Sequence, residues 1–461
     1  MTSFIPENPV PIEARPTVFC LHALGSSARE FEGIAARLAD DVDVVGLDLP
    51  GFGDLSAADG VTVDEMVAYV VRRIRSHGAT RWMILGHSMG GKIASIVASR
   101  VLSGDAPLFG LAGVVLLAGS PPVPEPMDEE RRERMLAWTD QGGLDDDAAR
   151  EFVDANTGAP LPDDKLRAAL TDLRRTSREA WRAWLQHGSR EDWSEQVGTL
   201  DVPVLIVSGG ADGDLGPENQ QRLNGAVYTR PRFLTLDGAG HLLPLERTDE
   251  VSEAIRAFWF GEAGRSPVIP TDWSRLVASP RVQPRTRGIL ARRALADNPR
   301  YKPRVLSARH IITLRAVAAR VVPQEGVPID LATRIDGELA DGKGDGWRSK
   351  ELPSDIEAYR IALDALDGLE NLADAEQDDA LASLAADDGP GLGSMTQAAA
   401  NAWFEDVRAS LVRTWLAHPA TMARIGFDGF ANGSSGRDLF GYQLLAAGER
   451  EAWEPTLKES K

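Results

Sequence analysis

Short runs of apolar, often β-branched residues recur through the first half of the chain, and longer amphipathic stretches separate them. The runs are residues 17–21, 42–48, 82–85, 114–118, 203–207 and 233–236. Continuous apolar runs of this length are typical of parallel strands that are buried on both faces, and the stretches between them have helical spacing. The pattern therefore predicts an α/β domain over residues 1–262 with a doubly wound parallel sheet.

The alternation stops after residue 118 and resumes at residue 202. A proline-rich turn opens this interval, and charged sequence with helical spacing fills most of the rest. We therefore expect a helical block inserted at about 121–200, with an apolar side that covers a pocket at the end of the sheet. Its large aromatic residues more often hold helices together than contact a ligand; they are Trp138, Trp181 and Trp184.

The composition changes again after residue 264. Residues 263–306 are rich in proline and arginine, which predicts a linker that contains a short helix over 286–296. Because the linker would leave the preceding domain complete, we expect residues 1–262 to fold alone.

From residue 307 onward the sequence has helical spacing and no strand pattern. Ser307 is a suitable N-cap for the first helix. The helical patterns cover residues 308–322, 330–339, 354–372 and 395–416. They predict a separate all-α domain over 307–461. Between Arg360 and Arg408 every charged residue is acidic, which is typical of a solvated face; docking of the basic linker is the alternative.

Composition and charge narrow the range of functions. The 461 residues carry 69 acidic and 50 basic side chains, a formal net charge of −19, which argues against binding to nucleic acid. Cys20 is the only cysteine, so the fold does not depend on a disulfide within the chain. The first residues lack the features of a signal peptide, and no apolar run is long enough to span a membrane. With scattered histidines and no metal-ligand cluster, we expect a cytoplasmic enzyme without a metal or cofactor.

The most specific chemical signal is Gly86-His87-Ser88-Met89-Gly90, which follows the apolar run 82–85 directly. A sharp turn from strand to helix exposes a serine hydroxyl at its tip, and flanking glycines remove side chains that would clash there. Candidate partners follow later strands: Asp212 comes after 203–207, and His241 comes after 233–236.

With serine, acid and histidine in this order, roughly the first 260 residues resemble the α/β-hydrolase family. The segment His22-Ala23-Leu24-Gly25-Ser26-Ser27 is similar to the oxyanion loop of that family, with alanine where glycine is usual. The segment Asp48-Leu49-Pro50-Gly51-Phe52-Gly53 is similar to its D-x-P-G-x-G turn. The resemblance implies a mostly parallel sheet with an inserted helical cap.

The same resemblance implies a role for each candidate residue. Ser88 would be the nucleophile, His241 the general base and Asp212 the acid that orients the histidine. Asp214 is the alternative acid. The backbone N–H groups of Met89 and Leu24 would form the oxyanion hole.

A serine nucleophile excludes the relatives that use aspartate at the same turn, which are the haloalkane dehalogenases and the epoxide hydrolases. Cleavage of an ester, thioester, lactone or C–C bond in a small molecule remains, and a carboxylesterase or lactonase is the leading hypothesis. His22 and His87 belong to the loop pattern of the family. We therefore expect them to make structural hydrogen bonds and not to act as a second base.

A second resemblance covers the predicted all-α domain. Short motifs at 306–308, 321–323, 418–419, 426–429 and 441–442 are similar to the subunit 3 family of membrane-bound gluconate 2-dehydrogenase. In that family the subunit carries no redox centre and accompanies a flavin-dependent oxidoreductase of the glucose–methanol–choline type. The resemblance implies docking of such a flavoprotein, and a chain that is mainly an accessory subunit is the alternative function. Candidate docking side chains, for which core packing is the commoner role, are Trp403, Trp415, Phe427, Phe430 and Trp453.

Overall fold

The computed structural model describes residues 15–343, 349–386, 389–427 and 429. The chain divides into two compact units. The first unit includes the residues up to Gly264 together with Val268–Leu295, and the second includes Arg265–Pro267 and the helices that follow Ala296. Within the described ranges, no helix is long and apolar enough to cross a membrane.

Six strands in the described part of the first unit form one parallel sheet, as the apolar runs predicted. They are β1 (Thr17–Leu21), β2 (Asp43–Leu47), β3 (Trp82–His87), β4 (Leu111–Leu117), β5 (Val204–Gly209) and β6 (Pro231–Leu236). Their order across the sheet is β2-β1-β3-β4-β5-β6. Because all the strands run in the same direction, the loops that follow their carboxyl ends meet at one edge of the sheet.

The first unit also contains helices. They are α1 (Glu32–Leu38), α2 (Val63–His77), α3 (Met89–Ser103), α4 (Glu129–Ala137), α5 (Asp146–Ala155), α6 (Asp163–Arg175), α7 (Arg178–Gln186), α8 (Ser194–Val197), α9 (Pro217–Asn219), α10 (Leu243–Glu246), α11 (Thr248–Phe258), α12 (Thr271–Ala278) and α13 (Pro284–Arg293). Apolar residues of the strands and of α1 and α11 form a buried core on one side, which includes Phe31, Leu85, Val115, Ile255 and Phe258.

The helices α4 to α8 lie between β4 and β5, and we refer to them as the insertion. Trp181 is fully buried within it, and its indole N–H donates a hydrogen bond of 2.9 Å to the backbone oxygen of Met135. The rings of Trp138 and Phe152 lie 6.3 and 5.5 Å from that of Trp181. These aromatic contacts join α4, α5 and α7 into one layer.

The segment that we expected to be a linker carries α12 and α13, which pack in the first unit. Arg287 of α13 is buried, and its guanidinium donates four hydrogen bonds of 2.9 to 3.1 Å to backbone oxygens of Gly104, Val277, Ser279 and Val282. The backbones also approach closely, because a Cβ on Gly288 would lie 2.4 Å from the oxygen of Ser103. The arginine content suggested a solvated connector, but here carbonyl groups replace water around the buried charge.

The second unit is helical, as predicted. Its helices are α14 (Ala308–Val321), α15 (Leu331–Ala340), α16 (Asp355–Ala365), α17 (Asp374–Ala385), α18 (Gln397–Leu416) and α19 (Pro419–Arg424). Ser307 caps α14 by accepting a hydrogen bond from the backbone N–H of His310. Trp403 lies in the apolar core of this unit and Trp415 is partly buried against that core, whereas Phe427 is exposed. The remaining docking and motif candidates, residues 428, 430, 441–442 and 453, lie outside the described residues.

The acidic stretch of the second unit contains a helix that the sequence analysis did not predict, α17. Its aspartates pair with a neighbouring helix, since Arg320 of α14 lies 2.8 Å from Asp374 and 2.6 Å from Asp378. Arg309 of α14 likewise lies 2.7 Å from Glu370. These described acidic residues therefore pair with arginines of α14 in the same unit, not with the basic segment that we had named as the alternative.

A buried carboxylate organises the start of the second unit. Asp336 accepts hydrogen bonds from the hydroxyl of Tyr301 at 2.7 Å and from the backbone N–H groups of Arg304, Val305 and Leu306 at 2.6, 3.1 and 2.8 Å. Burial alone would raise the pKa of Asp336, but these four donors outweigh burial and lower it. The carboxylate thereby fixes the chain that enters α14.

Candidate active site

Ser88 occupies a strained turn between β3 and α3. Its backbone has φ 48° and ψ −118°, a conformation that residues with a side chain rarely adopt. The flanking glycines are needed for space, because a Cβ on Gly86 would lie 2.3 Å from the oxygen of Gly90, and one on Gly90 would lie 2.2 Å from that of Leu21. The backbone oxygen of Ser88 accepts a hydrogen bond of 2.8 Å from Ser120, which ties the turn to the residues after β4.

His241 and Asp212 meet at the same edge of the sheet. The Nδ1 atom of His241 lies 2.7 Å from Oδ2 of Asp212, and both side chains are largely buried. Burial would lower the pKa of His241, but the charge of Asp212 and the hydrogen bond raise it above its ordinary value. Burial would raise the pKa of Asp212, and the same contact with His241 lowers it.

The alternative acid, Asp214, has a different partner. Its Oδ2 atom lies 2.6 Å from Nη1 of Arg131, whose Nη2 donates to Oδ1 of Asn156 at 3.0 Å. The backbone oxygen of Asn156 accepts a hydrogen bond of 2.8 Å from the N–H of His241. Asp212 is therefore the aspartate that the structure brings to His241, and Asp214 holds an arginine of the insertion.

The two backbone groups expected to form an oxyanion hole belong to Met89, which follows Ser88 directly, and to Leu24. Met89 is the first residue of α3, where unpaired N–H groups favour negative charge. Leu24 lines the same cavity as Ser88, in the loop after β1. In that loop Gly25 takes the positive φ of 75°, whereas Ala23 is not among the positive-φ residues of the described chain. The alanine that replaces the usual glycine is thus accommodated.

Ser88 lines a cavity of about 50 Å³. Its apolar wall comes partly from the insertion, through Met135, Phe152 and Trp184. The full lining is Leu24, Ser88, Glu125, Pro126, Met127, Arg131, Met135, Phe152, Asn156, Trp184, Asp212, Asp214, Leu215 and His241. The structure thus brings Ser88, Asp212, His241 and Leu24 around one space.

Residues 18–254 match the model of the alpha/beta hydrolase family. The chain belongs to this family. Three relatives show how far the likeness extends. The uncharacterized hydrolase YugF of Bacillus subtilis is 26% identical over 267 residues, which cover 53% of this chain and 90% of YugF. A pimeloyl-[acyl-carrier protein] methyl ester esterase of Neisseria meningitidis is 25% identical over 251 residues, which cover 53% of this chain and 94% of the esterase. Among solved structures, an esterase from Exiguobacterium antarcticum is 19% identical with a TM-score of 0.48, over 54% of this chain and 92% of the esterase.

The matched residues end before α12. The resemblance of the second unit to gluconate 2-dehydrogenase subunit 3 therefore stays a prediction from its short motifs.

A buried carboxylate that the sequence analysis missed connects two loops of this α/β-hydrolase. Glu30 accepts hydrogen bonds from Ser26 at 2.6 Å and from the backbone N–H of Ala23 at 3.2 Å. Its Oε1 atom lies 2.9 Å from Nδ1 of His87, whose Nε2 lies 2.9 Å from the backbone oxygen of His241. Burial would raise the pKa of Glu30, but His87, the charge of His22 and the hydrogen bond from Ser26 lower it. The oxyanion loop and the histidine loop are thus held by one network.

His22 also makes structural hydrogen bonds, as expected. Its Nε2 atom accepts a hydrogen bond of 2.9 Å from the backbone N–H of Leu49. Its Nδ1 atom therefore carries the proton and donates it to the oxygen of Ala23 at 2.8 Å. Burial lowers the pKa of His22, which favours this neutral form.

Lys92 of α3, four residues after Ser88, binds the insertion of the α/β-hydrolase. The side chain is fully buried, and Nζ donates to the backbone oxygens of Gly188 at 2.8 Å and Glu191 at 3.0 Å. Nζ also lies 5.7 Å from the ring centre of Trp184, a residue of the cavity wall. Burial lowers the pKa of Lys92 to about 8.

Proposed function

We propose that this α/β-hydrolase cleaves a carboxylic ester or lactone through an acyl-enzyme formed on Ser88. One observation carries the proposal: Ser88, held at positive φ, lines the same cavity as a histidine whose Nδ1 is 2.7 Å from an aspartate. The relative from Neisseria meningitidis is a methyl ester esterase, which supports an ester as the bond attacked.

In the proposed acylation step, Ser88, His241, Asp212 and the two backbone N–H groups have separate roles. The hydroxyl oxygen of Ser88 attacks the carbonyl carbon, and His241 takes the hydroxyl proton. Asp212 holds the imidazole ring and stabilises its positive charge. The N–H groups of Met89 and Leu24 bind the negative oxygen of the tetrahedral intermediate. His241 then returns the proton to the leaving alcohol as the C–O bond breaks.

Deacylation repeats the sequence with water. His241 takes a proton from water as its oxygen attacks the acyl carbon, and then returns a proton to Oγ of Ser88 as the acid leaves. In a lactone the leaving alcohol belongs to the same molecule as the acyl group, so the product is a single hydroxy acid.

Replacement of Ser88 tests the proposal. In the full chain, S88A should lower kcat for p-nitrophenyl butyrate by several orders of magnitude, because the nucleophile is lost. A fluorophosphonate should label the wild type on the peptide that contains Ser88, and should not label S88A. The exposed Ser103 at the end of α3 offers a matched control, and S103A should retain both activity and labelling. Hydrolysis by S88A at the wild-type rate would exclude Ser88 as the nucleophile.

The second unit adds a further part to the proposal, which rests on its resemblance to gluconate 2-dehydrogenase subunit 3. We propose that it docks a flavin-dependent oxidoreductase of the glucose–methanol–choline type. Such an enzyme can oxidise a cyclic hemiacetal to a lactone, and a physically linked hydrolase would receive that lactone at high effective concentration. The full tagged chain, purified from its native host, should carry a protein with a flavin spectrum. Purification without any flavoprotein would contradict this docking proposal. The second unit would then be a structural part of an esterase.

A further inference from the structure

One polar side chain of the active-site cavity has no place in the proposed triad. Glu125 lies in the loop between β4 and α4 and lines the cavity together with Ser88 and His241. The neighbouring prolines, Pro124 and Pro126, restrict the backbone on both sides, and the N–H of Glu125 donates to the oxygen of Ser189 at 2.8 Å. The backbone that carries this carboxyl group is therefore restrained at the cavity wall.

The hydrogen-bonding capacity of Glu125 is largely unused. A carboxylate can accept about four hydrogen bonds. In the described part of the chain its side chain accepts one, from the hydroxyl of Ser120. The charge of buried Lys92 acts on Glu125, but its ammonium group donates hydrogen bonds to the backbone oxygens of Gly188 and Glu191. Burial is the main cause that raises the pKa of Glu125, as expected for a carboxyl group with few donors.

Three other polar side chains of the cavity, Arg131, Asp214 and Asn156, form hydrogen bonds among themselves. Arg131 bonds to Asp214 and to Oδ1 of Asn156, and Nδ2 of Asn156 donates to the oxygen of Phe152 at 2.7 Å. The remaining walls are apolar. A substrate group that enters this space, apart from the reacting carbonyl, therefore meets apolar surface, the ion pair of Asp214 with Arg131, and the carboxyl group of Glu125, which no arginine or lysine side chain bonds in the described residues.

We propose that Glu125 determines substrate specificity, by selecting esters or lactones that carry a hydroxyl or ammonium group near the scissile carbonyl and by rejecting those that carry a carboxylate there. The inference rests on the proposed function. A hydroxyl or ammonium group would donate a hydrogen bond to Glu125, and a bond to a charged acceptor is worth roughly tenfold to a hundredfold in affinity. A substrate carboxylate would instead face a like charge in a site with little water.

Two sets of matched esters test this selection from the acyl side and from the alcohol side. The first set is methyl butanoate, methyl 3-hydroxybutanoate and monomethyl succinate. The second set is the propyl, 2-hydroxyethyl and carboxymethyl esters of butanoic acid. Acid release is measured by titration at mildly alkaline pH, which favours the ionised form of a carboxyl group. The readout is the ratio of kcat/KM values within one protein, so that a general loss of activity cancels.

In at least one set, the wild type should prefer the hydroxylated ester to the alkyl ester and should disfavour the carboxylated one. In E125Q the preference for the hydroxyl should fall about tenfold, and the relative rate on the carboxylated ester should rise about tenfold. E125D keeps the charge and should still reject the carboxylate. E133Q, which removes an exposed carboxylate from α4, should keep the wild-type ratios.

The possible failures are distinguishable. If no variant, including the wild type, hydrolyses any ester with dependence on Ser88, the proposed function fails. If hydrolysis depends on Ser88 but the ratios are the same in the wild type and E125Q, Glu125 does not determine specificity and this inference alone is overturned. Fluorophosphonate labelling of Ser88 in each variant shows that the site is folded.

Discussion

At the scale of single residues, two aspartates only two positions apart have different environments. Asp212 faces His241, and Asp214 faces Arg131. Motif spacing favoured Asp212 but left Asp214 open, because the turn after β5 could have directed either side chain to the histidine. The hydrogen-bond partners in the structure separate the two.

These environments predict unequal effects of two equivalent substitutions. D212N should lower kcat by roughly three to four orders of magnitude, because the amide no longer favours the productive form of the imidazole. D214N should lower kcat much less, since it weakens only the contact with Arg131. Steady-state kinetics on p-nitrophenyl butyrate compares them directly. A larger loss in D214N would transfer the role of the acid to that residue.

The raised pKa of His241 predicts the pH dependence. The base must be neutral to accept the proton of Ser88, so kcat/KM falls as the pH drops through the pKa of His241. Because Asp212 raises that pKa, the acid limb should lie above pH 6.5, roughly the ordinary histidine value. In D212N the residual activity should show an acid limb at lower pH. An unchanged limb would mean that another group controls it.

Buried charges mark the limit of prediction at this scale. Glu30, Lys92 and Arg287 have the residue types of a surface, and nothing in their local sequence shows that they are buried. Their partners lie far along the chain; Glu30 meets a histidine 57 positions away, and Lys92 meets a backbone oxygen 96 positions away. The triad candidates were predictable because each follows a strand in a recognisable turn.

At the scale of elements, the strands were predicted well for a physical reason. Parallel strands covered on both faces need nearly continuous apolar sequence, and such runs stand out. The helices α12 and α17 were missed because arginine or aspartate masks their few apolar positions, whereas α13 was predicted to within three residues but was assigned to a linker. Their stability comes from partners on other elements, as with Arg320 and the aspartates of α17. Local composition cannot show those partners.

The attachment of the insertion to α3 can be tested through Lys92. K92M removes the hydrogen bonds to Gly188 and Glu191 and the contact with Trp184. We expect KM for small esters to rise several-fold with a smaller change in kcat, and proteolysis within residues 186–193 to become faster. The exposed Lys302 provides the control variant K302M, which should change neither. Wild-type KM and protease resistance in K92M would show that the insertion is held by other contacts.

At the scale of the whole molecule, the first compact unit extends beyond residue 262, because Val268–Leu295 belong to it. Cleavage after residue 262 would remove α12 and α13 and leave the carbonyl of Gly104 and the ring of Phe109 without Arg287 and Trp273. We therefore expect residues 1–295 to be soluble and active on small esters, and residues 1–262 to aggregate or to melt at a lower temperature. Expression yield and thermal melting compare the two. Equal yields and melting temperatures would support the boundary at residue 262 that the composition suggested.

The positive φ of Ser88 has a consequence for protein engineering. Alanine at this position keeps the Cβ atom and therefore keeps the strain, whereas glycine releases it. S88G should consequently melt at a higher temperature than S88A, although both lack the hydroxyl group of Ser88. If that hydroxyl is the nucleophile, the strain at this turn cannot be removed without loss of activity, and thermostabilised variants will have to gain their stability elsewhere.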